Sequence, residues 1–347
     1  MLSKKNKVII YAQDHFGGKS AKTGIGFINY STCKTVAVVD RSLHGKTTKD
    51  IKSFLPSIPI FKSIEEAKRN FPDADVLLIG IATSGGRFPS DWLPDMKKAL
   101  KLKLNIVNGL HDFLTNIKEL NDLAKEKGLF IWDVRKTHNK YPIANARLLD
   151  YPIQVVLTVG TDAAIGKMTV ALELTKALNK KGYKSKFIPT GQTGMMITGD
   201  GIPVDAISGD FMAGAVEEEI IKAAKEKFKF AFVEGQGSIL HPGWSGVTLA
   251  LLHGSLPHKL ILCHKSDRKY LKDTKVKIQS LKQFITIHEE MSLPLRKAKV
   301  IAIALNTSAL SKKEALNAIK KAEDETSLPT VDPMRFGIGK ILKPCLE

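Results

Sequence analysis

Residues 153–181 read IQVVLTVGTDAAIGKMTVALELTKALNKK, and few folds are open to a chain that carries this stretch. Ile153–Val159 is a short, mostly apolar, β-branched run, the pattern of a strand buried on both faces. Gly160-Thr161-Asp162-Ala-Ala-Ile-Gly166 follows and ends on Lys167. From there Val170, Leu174 and Leu178 recur at helical spacing. Strand, glycine loop and helix in that order predict a phosphate-binding loop. Small residues let backbone N–H groups close around phosphate oxygens, the helix N-terminus adds partial positive charge, and Lys167 reaches the outer phosphates.

The loop departs from the usual pattern at two points. Five residues, Thr161 to Ile165, separate its glycines, where the common loop has four. The position after the lysine, where a hydroxyl normally binds Mg²⁺, is Met168, whose thioether is a poor ligand for a hard cation. Thr169, one step on, is placed to face an α-phosphate instead.

Four further apolar runs suit strands after this one: Ser185–Pro189, Phe230–Val233, Leu260–Cys263 and Val300–Leu305. Several end on residues with chemistry. Thr190-Gly-Gln192-Thr193-Gly follows the first, Glu234-Gly235-Gln236-Gly237-Ser238 and then His241 the second, and Asn306 the last. Ligands of open parallel sheets bind outside the carboxyl ends of the strands, so converging glycine turns there predict a site.

The first 150 residues predict a parallel α/β unit, with runs at Val8–Ala12, Val36–Val39, Ile58–Phe61, Val76–Ile81, Asn105–Val107 and Phe130–Ile131 separated by helical patterns. Asp40 ends the second run, where dinucleotide folds keep a ribose-binding acid, but the turn after the first run is not GxGxxG. A Rossmann-like domain used for packing is therefore expected. Thr83–Arg87 and Asn108–His111 read equally well as ligand loops or as plain strand-to-helix turns. The aperiodic stretch from Asp133 to Pro152 sets the expected boundary: residues 1–150 as a Rossmann-like domain and 151–347 as a P-loop domain, both α/β with parallel sheets.

Bulk properties narrow the function classes. The net charge of +18 comes mostly from lysines spread along the chain, and aromatics are only 7 %. That suits a solvated surface attracting anionic substrates better than a nucleic-acid binder, so no nucleic-acid partner is expected. No apolar run reaches the ~18 residues of a membrane span, and the start lacks a signal-peptide pattern, so no membrane partner and a cytoplasmic location are expected. Three widely spaced cysteines without a CxxC suggest neither disulfides nor zinc. A homo-oligomer is expected.

GTDAAIGK, then VEGQG after a later strand, then an asparagine after a further one, resembles dethiobiotin synthetase and its P-loop relatives. That resemblance implies a Mg²⁺-binding role for Glu234 and an adenine contact for Asn306. GTDAAIGKMT, PTGQTGMM, VEGQGSILHP and LPTVDPMRFG together are similar to the two-domain family catalogued as domain of unknown function 1611. Members of that family have been assigned as D-glutamate N-acetyltransferases. The resemblance implies acetyl-CoA as a substrate and a small acidic amine as the acyl acceptor. Lacking the metal hydroxyl, a loop of Gly160, Thr161, Asp162, Gly166, Lys167, Met168 and Thr169 suits the coenzyme's pyrophosphate without hydrolysing it, and no metal site is expected. Glu234 and His241 are the candidate bases. Gln192, Thr193 and the turn Gly235–Ser238 are expected on the substrate side, the turn's N–H groups as oxyanion donors. Arg335 is placed either to grip a substrate carboxylate or to pair with Asp332. Two other functions fit the same residues. One is an ATP- and Mg²⁺-dependent ligase or kinase using Glu234 with Asp200, Asp205 or Asp210; the other is a non-catalytic nucleotide-binding module.

Overall fold

The computed structural model describes residues 2–137 and 140–347, with Lys19 and Ser84 by backbone alone. The chain forms two compact units: residues 1–138 with Gln192–Ala206, and residues 139–191 with Ile207–Glu347. The boundary between them falls at 138/139, and the segment from Gln192, the fourth residue of the PTGQTGMM motif, is counted with the first unit. Contacts within that unit account for this. The helix Gln192–Thr198 packs on the helix Lys22–Tyr30, Thr193 Oγ1 lies 3.1 Å from Thr23 Oγ1, and Asp205 pairs with Arg135 at 2.9 Å.

The first unit is built on a six-stranded sheet of β1 (Lys7–Tyr11), β2 (Lys34–Val39), β3 (Ile60–Phe61), β4 (Val76–Ile79), β5 (Asn105–Asn108) and β6 (Ile131–Asp133), in the order β3-β2-β1-β4-β5-β6. Its strands pair in parallel throughout. Val8 to Tyr11 and Val76 to Ile79 are fully buried, as the unbroken apolar runs require of strands covered on both faces. The order reverses beside β1, where such folds hold ligands. Here, however, the acid at the end of β2 is spent. Asp40 is fully buried, its Oδ2 accepts from Phe16 N at 2.9 Å, and its Oδ1 accepts from Ser42 N and Ser42 Oγ at 3.0 and 2.7 Å. It caps a turn, so the ribose-acid position has a structural use. The Thr83–Arg87 and Asn108–His111 loops pack on each other: His111 N donates to Gly86 O at 2.7 Å, and Arg87 pairs with Asp112 at 2.7 Å.

The second unit holds β7 (Gln154–Gly160), β8 (Ser185–Ile188), β9 (Phe230–Val233), β10 (Lys259–Lys265), β11 (Lys299–Asn306) and β12 (Thr330–Val331), ordered β12-β11-β10-β7-β9-β8 and parallel throughout. One apolar cluster spans Val156, Leu174, Phe232, Ile261, Ala302 and Ile341, seating the helices Lys167–Lys180 and Gly339–Leu346 on one face. Helix starts follow local sequence: Ser280 with Gln283, and Ser311 with Glu314, form capping boxes. β7 lies between β9 and β10, so the ends of these three strands lie side by side, and β7 carries the glycine loop.

Candidate functional site: a phosphate loop beside a glycine turn

The loop after β7 owes its shape to two residues with positive φ, Ala164 at 53° and Gly166 at 111°. Gly166 is the N-cap of the Lys167–Lys180 helix, where a left-handed backbone favours glycine. Alternation of this kind turns successive N–H groups inward. Among the described residues, the N–H groups of Ala164, Ile165 and Gly166 have no protein acceptor, and the first turn of a helix has none of its own. Gly160 is fixed by packing, since a Cβ there would come within 2.6 Å of Ile165 Cδ1.

The loop is anchored from behind. Asp162 is fully buried: its Oδ1 accepts from Ala163 N at 2.7 Å, and its Oδ2 accepts from Arg268 Nη1 at 2.7 Å and Lys272 N at 2.8 Å. Thr161 Oγ1 meets His264 Nδ1 at 2.9 Å. Asp162 therefore acts as a strut, with both oxygens committed. Met168 packs against the apolar cluster under the helix, and Thr169, the nearest hydroxyl, is half-buried.

Lys167 joins the loop to the glycine turn after β9. Its Nζ donates to Asp162 O and to Gly237 O, each at 2.7 Å, and burial pushes its pKa down to about 8. Glu234, at the end of β9, is buried; its Oε2 accepts from Thr190 N at 3.1 Å and Gly191 N at 3.3 Å. Gly235 N is spent on Thr158 Oγ1 at 2.9 Å, whereas the N–H groups of Gln236, Gly237 and Ser238 have no protein acceptor among the described residues. Gln236 Nε2 reaches Thr190 Oγ1 at 3.3 Å, and the buried Ser238 hydroxyl donates to Thr161 O at 3.1 Å. Loop and turn are thus stitched together by Lys167 and Ser238.

Gly235 admits nothing larger. A Cβ there would overlap the Thr158 carbonyl oxygen and stand 2.8 Å from its carbon, both backbone atoms of β7. Gly235→Ala is expected to cost more than about 3 kcal/mol, because strand backbone cannot yield as a side chain can. Urea denaturation reads this directly, and a wild-type midpoint would show that the β7–β9 junction is looser than described.

His241 is buried, its ring stacked on Trp244 with centroids 3.9 Å apart. Gly243 N donates to its Nδ1 at 3.1 Å, so the proton sits on Nε2, which donates to Lys272 O at 2.9 Å. Both ring nitrogens are engaged by backbone, and a base role requires one of these bonds to open. Asn306 ends β11; its Oδ1 accepts from Ser308 N at 3.1 Å. Arg335 is exposed and does not pair with Asp332 through its guanidinium: Nη2 donates to Leu310 O at 2.6 Å, while Asp332 caps the Pro333–Phe336 helix through Met334 N and Arg335 N. Gln192 and Thr193 belong to the first unit, where a Cβ on Gly109 would come within 3.1 Å of Gln192 Oε1. Asp200 and Asp205 belong there too. Among the described residues no group of three or more His, Cys, Asp or Glu side chains is arranged to hold a metal ion, and no helix is long and apolar enough to cross a membrane.

Sequence reasoning passed over Arg268, His264 and Thr158. Arg268 had a signal: residues 265–277, KSDRKYLKDTKVK, hold six basic residues, Lys265, Arg268, Lys269, Lys272, Lys275 and Lys277, against two acidic ones. Neither Thr158 nor His264 had one, since each gains its role from a partner far along the chain.

The model of a P-loop domain of unknown function, DUF1611_C, matches residues 142–342, and its Rossmann-like companion, DUF1611_N, matches residues 41–137. The chain belongs to the DUF1611 family. A crystal structure of a DUF1611 family protein from Anabaena variabilis is similar over 98 % of this chain and 99 % of its own, with 39 % identity and a TM-score of 0.93. A protein of Tritonibacter scottomollicae named D-glutamate N-acetyltransferase is 36 % identical over 81 % of this chain and 83 % of its own length. One of the same name from a Pseudoalteromonas species is 34 % identical over 78 % of this chain and 80 % of its own.

Proposed function

We propose that this DUF1611 protein transfers the acetyl group of acetyl-CoA to the amine of D-glutamate or a similarly small acidic amine. The observation that carries the reading is the phosphate loop whose Ala164, Ile165 and Gly166 N–H groups lack protein acceptors among the described residues and whose metal-hydroxyl position is filled by the core-packed Met168. Such a cradle holds a pyrophosphate by N–H groups and a lysine. The names of the two relatives above support the choice of reaction and acceptor. In this reading the coenzyme's pyrophosphate lies on Ala164–Lys167, and the amide nitrogen of Asn306 serves adenine. Glu234 takes a proton from the substrate ammonium; the freed amine attacks the thioester carbonyl, the N–C bond forms, and the C–S bond breaks as the second proton given up by the nitrogen passes to the departing sulfur, releasing the thiol. The N–H groups of Gln236 to Ser238 carry the oxyanion between these steps. His241, with both ring nitrogens tied to backbone, holds the turn in place.

Release of free thiol from acetyl-CoA in the presence of D-glutamate, with L-glutamate and no acceptor as comparisons, tests the reaction. Absence of acceptor-dependent release sinks it. The fit to metal is tested separately. With Met168 in the hydroxyl position, coenzyme binding measured calorimetrically is expected to be the same with EDTA as with Mg²⁺. Mg²⁺-dependent binding of ATP in preference to acetyl-CoA would favour the ligase reading, with Thr169 as the metal-facing hydroxyl.

A further inference from the structure

The second unit has a cavity whose lining includes none of the residues assigned to the proposed reaction. It encloses about 260 Å³ beside the ends of β10 and β11, against the helices Leu281–Met291 and Lys312–Thr326. Its wall includes Ser266 and Arg268, and its open side carries Lys269, Lys277 and Lys321. Glu325 is the only carboxylate in this lining.

Two features of this lining call for a ligand. Among the described residues Lys269, Lys277 and Lys321 form no ion pair, although acidic partners hold many other lysines of this chain, such as Lys265 and Lys272. Like charges gathered around a recess repel one another and raise the local concentration of anions. The Ser266 hydroxyl is buried and has no hydrogen-bond partner among the described residues. A buried hydroxyl without a partner costs stability, and one in the wall of a polar recess gains a bond by turning its side chain toward a ligand oxygen there. His264 also lines the recess, and burial pushes its pKa down to about 4. Its ring is neutral near pH 7, so the positive charge comes from the lysines and Arg268.

We infer that this recess binds a small ligand bearing two or more negative charges on oxygen, a phosphate monoester or a dicarboxylate. Lys277 and Lys321 supply the charge and Ser266 a directed hydrogen bond. The site is wired to the phosphate loop. Arg268 Nη1 also donates to Asp162 Oδ2 and to Ala163 O, each at 2.7 Å, and His264 holds Thr161. An anion that draws on Arg268 therefore acts on the strut that sets the loop. Two ligands of the proposed reaction have this chemistry, the 3′-phosphate of the coenzyme and the two carboxylates of the acceptor. Their identity as candidates rests on that reading; the chemistry of the recess does not.

The test is calorimetric titration of coenzyme A, dephospho-coenzyme A, D-glutamate and inorganic phosphate into wild type, Lys167→Ala and the double variant Lys277→Ala/Lys321→Ala. Both recess lysines are exposed, so the double variant is expected to keep the wild-type melting temperature. At least one anion should bind tenfold or more weakly to the double variant. Loss for coenzyme A but not for its dephospho form assigns the recess to the 3′-phosphate. Loss for D-glutamate assigns it to the acceptor, and loss for inorganic phosphate alone to an effector anion. Wild-type affinities of the double variant for every anion overturn the inference, as does the absence of binding by all four ligands to wild type. Failure of coenzyme A alone to bind wild type counts against the acetyl-transfer reading, while D-glutamate and phosphate still decide the recess.

Discussion

Glu234→Gln is expected to lower the single-turnover rate of acetyl transfer by about 10²- to 10⁴-fold, the range for loss of a general base, with coenzyme affinity nearly unchanged. The substitution is informative because of how the side chain is held. Oε2 accepts from two backbone N–H groups, Thr190 and Gly191. A glutamine can turn its amide oxygen to the same two donors, so these two bonds survive while the charge and the basicity are lost. The melting temperature should therefore stay close to wild type. His241→Ala should show the opposite balance. Its ring links Gly243 N to Lys272 O and stacks on Trp244, so its removal should lower the melting temperature more than the chemical step. If Glu234→Gln turns over at the wild-type rate, Glu234 is not the base; if both variants do, the assigned residues are wrong.

Local pattern explains how much of this was legible beforehand. All six strands of the first sheet and five of the second stand within a residue or two of their apolar runs, because strands covered on both faces need unbroken apolar sequence. Thr330–Val331 was not foreseen: two residues at an edge are too few to set a period. The phosphate loop was legible because its backbone demands glycine at one turn and a lysine after it. Roles that depend on distant partners were not. Asp40 stands at the ribose-acid position of a domain expected to serve packing, and it caps a turn. Arg335 offered a choice between a substrate and Asp332, and its guanidinium instead meets Leu310 O. Gln192 stands in one motif with Gly191 yet belongs to the other compact unit. In each case the residue type was legible, while packing against elements from 24 to 83 residues away, Phe16 for Asp40, Leu310 for Arg335 and Gly109 for Gln192, chose the partner.

Lys167→Ala is expected to weaken coenzyme binding by a few kcal/mol, about the size of a set of charge-assisted contacts, and to remove a pH dependence that wild type should show. The buried ammonium has a pKa pushed down to about 8 from 10.5, first by burial, with Asp162 and Glu234 partly offsetting the loss. A phosphate brought against Nζ favours the charged form and raises that pKa. Below pH 8 the lysine is charged before and after binding, and affinity should be level. Above pH 8 the ligand-free lysine is increasingly neutral, so binding must take up a proton, and affinity should fall by up to about tenfold per pH unit until the bound-state pKa is passed. Stability runs the other way. The unfolded chain keeps this proton up to its ordinary pKa while the folded one loses it earlier, so the contribution of Lys167 to stability rises with pH between about 8 and 10.5. Calorimetry from pH 7 to 9.5 in buffers of different ionisation enthalpy measures both affinity and proton uptake. Wild type should take up protons above pH 8 and Lys167→Ala should not. The variant also leaves Asp162 O and Gly237 O without their buried donor, so some loss of stability is expected with it. Equal affinity of the two proteins at pH 7, with no proton uptake by wild type at pH 9, would mean that no phosphate meets Lys167, and the ligand would have to be sought elsewhere in the second unit.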